Sequence, residues 1–477
     1  MSNSNYARLE PLFHPRSIAL AGITITNPEH WTRMFLDALL ECEFEGPIYL
    51  VNPRGGEIKG LKVYQRLEDI PHSIDYVIST VPAKASLELV EACAGKGVKA
   101  IHFCTAGFSE TGEEEGARLE AHLVEMSRRK GIRIIGPNCL GIYCPEARLH
   151  FAREFPKESG WVGFISQSGG NARTLVSQAR WRGARFSKAI SYGNGCDLNE
   201  SDFLDYLTAD PKTKIIALYI EGVKNGRRFR DVLEKAAKEK VVILLKGGAT
   251  EEGARAASGH TGALAGTDVV WNSLCKQLGI IRVDSMAELA DVIITLSFMP
   301  LPRGRRVALV GAGGGNSVLI ADEFVKRGLE VPHLPQEIIN ELREFTPAAG
   351  NILRNPIDYS QTMMEIEKMV RAAGIISGWK GVDFLIGFLN LVWPQPSFAR
   401  QMDKLVAMIL EKSTASSKPM ALVLEPGILP EQAKQLFDLT QKCVDLGLAV
   451  YYSHASAAKA ISLVLSHNEK HPVKGIK

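Results

Sequence analysis

Paired cysteines are missing from this sequence. The eight, at positions 42, 93, 104, 139, 144, 196, 275 and 443, include no CxxC and no Cys/His cluster at zinc spacing. That argues against a zinc module or a dithiol redox site, and points to reduced thiols in a reducing compartment. Long apolar runs are missing too, and the start MSNSNYARLEPLF has neither the basic nor the apolar region of a signal peptide. The expectation is a cytoplasmic protein without a membrane partner. Charge of one sign is also lacking: the net charge is +3, with acids and bases interspersed. No basic stripe marks a nucleic-acid partner, and no low-complexity tract interrupts the chain.

What is present is an ordinary globular composition over 477 residues, with 45% apolar and 23% charged. That length suggests two to four domains. Short runs rich in Val and Ile alternate with amphipathic, helix-length stretches. They are SIALAG (17–22), PIYLVNP (47–53), YVISTVP (76–82), AIHFCTAG (100–107) and RIIGPNCLG (133–141). Helical patterns cover 84–97 and 113–131. This alternation predicts an α/β domain, a parallel sheet with helices on both faces. A second series starts with VGFISQSGG (162–170) and continues through KAISYGN, IIALYIEG and VVILLKGG. The stretch 197–210 reads as a helix capped by Asn199 or Ser201. MPLPRGRR (299–306) reads as a linker. A third block follows with VALVGAGGG (307–315), VDFLIGFLNLV (382–392), PMALVLEP (419–426) and GLAVYYS (447–453). The expected domains are 8–150, 155–298 and 304–465, all doubly wound α/β units.

In such sheets, ligands bind beyond the carboxyl ends of the strands. SGHTGALAG (258–266) sets one histidine, His260, among glycines that let a backbone bend sharply. An imidazole held in such a loop is a good nucleophile near neutral pH. On spacing alone, His260 reads equally as a cap for the helical pattern that follows. Glu221 in LYIEG (218–222) ends a strand, where a carboxylate reaches a ligand crevice or simply opens a loop. In SQSGGNAR (166–173), Ser168, Gly169 and Gly170 precede a helix. The N–H groups of such a helix start bind phosphate, or the serine merely caps it. VGAGGGNS (310–317) hints at a dinucleotide site, but Asn316 stands where the third fingerprint glycine belongs, so a close-packed turn is the better reading. After the first strand only Gly22 is available, which argues against a standard NAD site. Cys139 has no local histidine to make it a nucleophile.

Taken in order, PRSIALAG, IYLVNPRGGEIKGLKVY, STVPAKASLELVEACAGKGVKA, TAGFSETG, GPNCLG, FISQSGG, LYIEG and SGHTGALAG span nearly the whole chain. Together they resemble the α-subunit of NDP-forming acyl-CoA synthetases, the ADP-forming acetyl-CoA synthetase group, and more distantly succinyl-CoA synthetase α. The resemblance implies a Rossmann-like CoA-binding domain followed by two flavodoxin-like domains of the succinyl-CoA synthetase type. It implies a reversible reaction of acyl-CoA, ADP and phosphate to carboxylic acid, CoA and ATP, through an acyl phosphate and a phosphohistidine.

On that resemblance His260 is the phosphorylated residue, and Glu221 orients or stabilises it. Ser168, Gly169 and Gly170 bind phosphate. Gly22, Asn52, Pro53, Val81, Pro82 and Asn138 bind CoA. No metal site is implied on this chain. ADP or ATP with Mg belongs to an ATP-grasp β-subunit, for which the sequence leaves no room after its third block, in an α2β2 assembly. The family's first loop is usually short and glycine-containing. Here GITITNPEHWT is bulkier, carrying His30 and Trp31, and Trp31, Tyr192 and Phe108 are candidates for an acyl pocket. Two other readings stay open at this level: a regulatory protein that binds CoA or acyl-CoA without turnover, and an NAD-linked oxidoreductase.

Overall fold

The computed structural model describes residues 3–261, 267–311, 313–347, 349–359, 366–390, 418–427 and 429–472. The side chains of 258–261 lie outside the described set. By internal contacts the chain divides into two compact units, 1–180 with 185–289, and 181–184 with 290–477.

The first unit holds two sheets. One comprises β1 (Ile18–Ala21), β2 (Ile48–Val51), β3 (Gly56–Ile58), β4 (Leu61–Tyr64), β5 (Tyr76–Ser79), β6 (Ala100–Phe103) and β7 (Arg133–Ile135). Its order is β3-β4-β2-β1-β5-β6-β7, parallel except for β3. Without that antiparallel edge strand the order is that of a Rossmann sheet, reversing direction between β1 and β5. Strands β1, β5 and β6 are buried along their whole length, as expected of strands covered on both faces. Ile74, Val77, Val90, Ile101, Phe103, Leu123 and Ile134 fill one core between sheet and helices.

The second sheet comprises β8 (Gly141–Tyr143), β9 (Val162–Ser166), β10 (Phe186–Ser191), β11 (Ile215–Ile220), β12 (Val241–Lys246) and β13 (Ile281–Val283). The order β13-β12-β11-β9-β10-β8 is flavodoxin-like, with β8 added antiparallel at the edge. Its switch point lies between β9 and β11. RIIGPNCLG therefore does not act as one strand: its first three residues close the first sheet, and Gly141 opens the edge of the second. Gly141 is required there, because a Cβ would lie 2.5 Å from the His102 ring.

The helix Glu200–Ala209 starts at the expected Asn199, whose side chain accepts the Ser201 N–H. The N-terminal helix Asn3–Phe13 was not foreseen. It packs on Glu200–Ala209 of the second sheet's layer, with Phe13 stacked on Tyr206 at 4.2 Å.

The second unit carries β14 (Val307–Val310), β15 (Ile352–Leu353), β16 (Ile357–Asp358), β17 (Phe384–Asn390), β18 (Met420–Glu425) and β19 (Ala449–Tyr451). Its order, β15-β16-β14-β17-β18-β19, repeats the flavodoxin pattern. The turn after β14 is close-packed: Gly311 has φ +97, and a Cβ there would lie 2.7 Å from the Phe388 carbonyl oxygen. Among the described residues no helix is long and apolar enough to cross a membrane.

Candidate active site at two sheet switch points

The first switch point gathers most of the expected CoA set. Gly22 leaves β1 with φ +89, and a Cβ would stand 2.7 Å from the Val81 nitrogen and 2.8 Å from the Thr80 carbonyl carbon. Only glycine fits, in conformation and in space. The two chain exits thus touch through backbone, leaving a narrow cradle lined by peptide groups. Asn52, just past β2, ties the next loop down: its Nδ2 donates to the Ile23 carbonyl at 2.9 Å. Its Oδ1 accepts the Arg54 N–H at 3.0 Å. Pro53 and Pro82 are exposed, and Val81 is half-buried. Asn138 adopts φ +57, a conformation that Asn tolerates better than most residues. Its N–H donates to Thr105 at 3.0 Å, which sets it beyond β6 on the same side.

The bulky first loop is held by a residue that the sequence reading passed over. The Arg33 guanidinium, buried, donates to the carbonyls of Thr24 (2.7 Å) and Ile25 (3.0 Å). Trp31 is 49% exposed, whereas Phe108 and Tyr192 are fully buried. Phe108 packs inside the first core, so it is a core residue rather than a pocket wall.

The second switch point is built from side chains. Ser168 follows β9, and its Oγ accepts the Asn171 N–H at 3.3 Å, capping the helix Gly169–Arg180. Ser166 Oγ donates to the Ser168 carbonyl at 2.7 Å and fixes the turn. Gly169 is pressed on Leu140, whose Cγ would be 2.9 Å from a Cβ, while Gly170 is exposed. Across the crevice, Glu221 follows β11 and is only 5% exposed. Three side chains hold it. Gln167 Oε1 accepts the N–H groups of Glu221 (2.9 Å) and Gly222 (3.2 Å). Tyr219 O–H donates to Glu221 Oε1 at 3.1 Å. Lys246 Nζ, at the end of β12, donates to the Glu221 carbonyl at 2.7 Å. Burial pulls the Lys246 ammonium below its ordinary value, and the Glu221 charge opposes that. Burial first, then the Glu221 charge, pushes the Tyr219 phenol up. Gly247 makes room for this cluster, since a Cβ would meet the Tyr219 hydroxyl at 2.6 Å.

His260 was expected in an irregular glycine loop. Its backbone instead lies in the last turn of a helix, Glu251–Thr261. Ala254, Ala256 and Ala257 favour a helix there, and Glu251 and Glu252 suit its positive end. The His260 side chain and residues 262–266, the rest of SGHTGALAG, lie outside the described residues. The helix packs against the turn Ser109–Thr111 in TAGFSETG.

That turn carries Glu110, and the helix after it Glu120, carboxylates to which the sequence reading gave no role. Glu110 Oε1 accepts the N–H groups of Gly107 (2.5 Å) and Phe108 (3.1 Å), and Asn194 Nδ2 donates to Glu110 Oε2 at 2.6 Å. Burial would raise the Glu110 carboxyl, but these donors, Asn194 foremost, hold it below its ordinary value. Asn194 also donates to Glu120 at 2.8 Å. Gly193 sits beneath the Pro137 and Asn138 carbonyls, which a Cβ would meet at 2.2 and 2.4 Å. The YGNG segment therefore interlocks with GPNCLG. Cys139 is buried, and its thiol is pushed far up by burial and by neighbouring Cys104, which disfavours the thiolate. Among the described residues no cluster of His, Cys, Asp or Glu could hold a metal ion.

Comparison with known proteins agrees with these sheets. Residues 16–145 match the model of a CoA binding domain, and residues 159–296 that of a succinyl-CoA ligase like flavodoxin domain. The chain belongs to the family of ADP-forming acyl-CoA synthetase α-subunits. It is 37% identical to the acetate–CoA ligase [ADP-forming] II subunit alpha of Pyrococcus furiosus, over 90% of this chain and 93% of that one. It is 36% identical to the acetate–CoA ligase [ADP-forming] I of Archaeoglobus fulgidus, over 80% of this chain and 55% of that longer protein. The chain thus spans nearly the whole of the first relative and about half of the second. A solved dinucleotide forming acetyl-coenzyme A synthetase 1 of Candidatus Korarchaeum cryptofilum, in complex with phosphate and ADP, superposes with a TM-score of 0.79. It is 32% identical, with 98% of this chain and 99% of that chain covered.

Proposed function

We propose that this chain is the acyl-transferring and phosphoryl-relaying subunit of an NDP-forming acyl-CoA synthetase. It interconverts acyl-CoA, ADP and phosphate with carboxylic acid, CoA and ATP. In this reading, CoA lies along the first switch point, against Gly22, Asn52, Pro53, Val81, Pro82 and Asn138. A phosphate oxygen attacks the thioester carbonyl carbon. The C–S bond breaks, the thiolate takes a proton, and CoA leaves behind an acyl phosphate. A His260 ring nitrogen then attacks phosphorus, and the acyl P–O bond breaks to release the carboxylate. Ser168 and the first N–H groups of Gly169 and Gly170 hold the phosphoryl oxygens, as helix N-termini do without a metal. Glu221 accepts a hydrogen bond from the ring nitrogen that does not react, fixing its tautomer and balancing its charge.

The phosphohistidine passes its phosphoryl group to ADP, with Mg, on a separate ATP-grasp β-subunit, in an α2β2 assembly. The three sheets would be the cores of three domains, 8–150, 155–298 and 304–465, the last serving packing and subunit contact. The observation that carries this reading is the second switch point, where Ser168 follows β9, Glu221 follows the neighbouring β11, and Gln167 ties the two strand ends together.

Mass spectrometry of the intact chain after incubation with acetyl-CoA and phosphate tests the relay. One added phosphate that maps to His260 is expected, and none in His260→Asn. ATP synthesis retained by His260→Ala in the presence of the β-subunit would sink the assignment.

A further inference from the structure

A second charged site lies at the opposite end of the strands, where β7 begins. A cleft of about 370 Å³ is lined by Arg8, Arg128, Arg133 and Arg228, with Asp197 and Asp202 beneath them. Both aspartates are buried, and both are already engaged. Asp197 takes the bidentate Arg133 guanidinium (2.7 and 3.2 Å) and the Ile134 N–H (3.0 Å). Asp202 takes Arg228 (2.6 Å) and caps its helix through the Asn199 N–H (3.2 Å).

Arg128 and Arg8 are left at 3.7 and 3.9 Å from the same carboxylates, with side chains 65% and 56% exposed. Each of these contacts is long and sets an exposed guanidinium beside a buried carboxylate that already has closer donors. Four guanidiniums thus share two carboxylates, which leaves an excess of positive charge at the cleft. The two outer ones, on the helices Asn3–Phe13 and Glu114–Lys130, make only long ion pairs, and Arg8 also donates to Asn5 Oδ1 at 2.9 Å. Arg128 extends from the last turn of its helix, so its charge is not needed to hold Asp197. Planar, forked guanidiniums around a concave surface suit phosphate, two of whose oxygens each can take bidentately.

From this arrangement we infer a binding site for a small phosphate-bearing anion, gripped between Arg8 and Arg128 over the Asp197 and Asp202 floor. The site is independent of the relay proposed above, because no residue is shared. Its ligand presents phosphate oxygens, either as a free phosphate or diphosphate or as part of a nucleotide.

Isothermal titration of the full chain with inorganic pyrophosphate at low ionic strength tests it. Arg8→Gln/Arg128→Gln should bind about tenfold or more weakly, the loss expected for two charge-assisted hydrogen bonds. Arg66→Gln/Arg118→Gln, which removes two exposed arginines elsewhere, should bind like the unaltered chain. Equal affinity in Arg8→Gln/Arg128→Gln and the unaltered chain overturns the site. ADP binding no tighter than pyrophosphate marks the diphosphate alone as the recognised group, and tighter binding marks a nucleotide. Should the double variant fail to fold, crystals soaked in tungstate decide: anomalous density between Arg8 and Arg128 supports the site, and density only elsewhere overturns it.

Discussion

The two switch points of the first unit are built from different materials. At the first, β1 and β5 meet through peptide groups around Gly22 and Val81, and the polar side chains there are spent on backbone: Thr80 Oγ1 donates to the Ala21 carbonyl and Asn52 holds a loop. At the second, buried polar side chains converge, with Gln167, Tyr219 and Lys246 all directed at Glu221 or its backbone. A backbone cradle recognises shape and offers N–H groups, but it moves no protons. A buried carboxylate with one phenol donor, its backbone pinned by Gln167 and Lys246, is costly to assemble and is expected where its charge is used. The difference fits the proposed division, with binding at the first crevice and chemistry at the second.

Four measurements break or sharpen that contrast, in falling order of free energy. Glu221→Gln should lower kcat by about a hundredfold or more, the scale of a lost acid–base or charge-stabilising group, with KM for CoA unchanged. A KM effect alone would move Glu221 to the binding side.

The next concerns the body of the first sheet. His102 is fully buried, and burial lowers its pKa from 6.5 to about 4, against the Cys139 carbonyl contact. It stays neutral in the fold and takes a proton once unfolded. Its contribution is therefore complete above pH 6.5 and is lost as pH falls towards 4, up to about 3 kcal/mol. Urea unfolding across that range should show the fall, and His102→Gln should flatten it. An unchanged slope in the variant would remove His102 as the cause.

Gly22→Val places a Cβ against the Val81 nitrogen at a positive φ. KM for CoA should rise about tenfold, the equivalent of about 1.4 kcal/mol of local strain, with kcat nearly spared. Loss of kcat instead would mean that the first crevice also shapes the chemistry. Smallest, Tyr219→Phe removes one O–H donor from Glu221 and should lower kcat by about threefold to tenfold without shifting the melting temperature. A variant that melts early at full kcat would make Tyr219 structural only.

Much of the architecture was readable before any coordinates. The buried strands are runs of Val and Ile, and their carboxyl ends carried Gly22, Ser168 and Glu221. The edge strands were not readable. GEI and LKVY of the β3–β4 hairpin, and β8 after GPNCLG, are short and polar or glycine-led, so they lack the apolar signature of buried strands. The helix around His260 was misread because its glycines outweighed its alanines. Gln167, Lys246 and Arg33 went unseen for another reason. Gln167 serves Glu221 from 54 residues away and Lys246 from 25, and no local pattern records such partners.

The sequence by itself determined the order of strands and helices, the three α/β blocks and the histidine among glycines, because burial on two faces and helical periodicity are local properties. Only the tertiary structure decided which strand ends became neighbours. Sheet order brings β1 beside β5 and β9 beside β11, and that adjacency makes one crevice a backbone cradle and the other a clasp around a buried carboxylate.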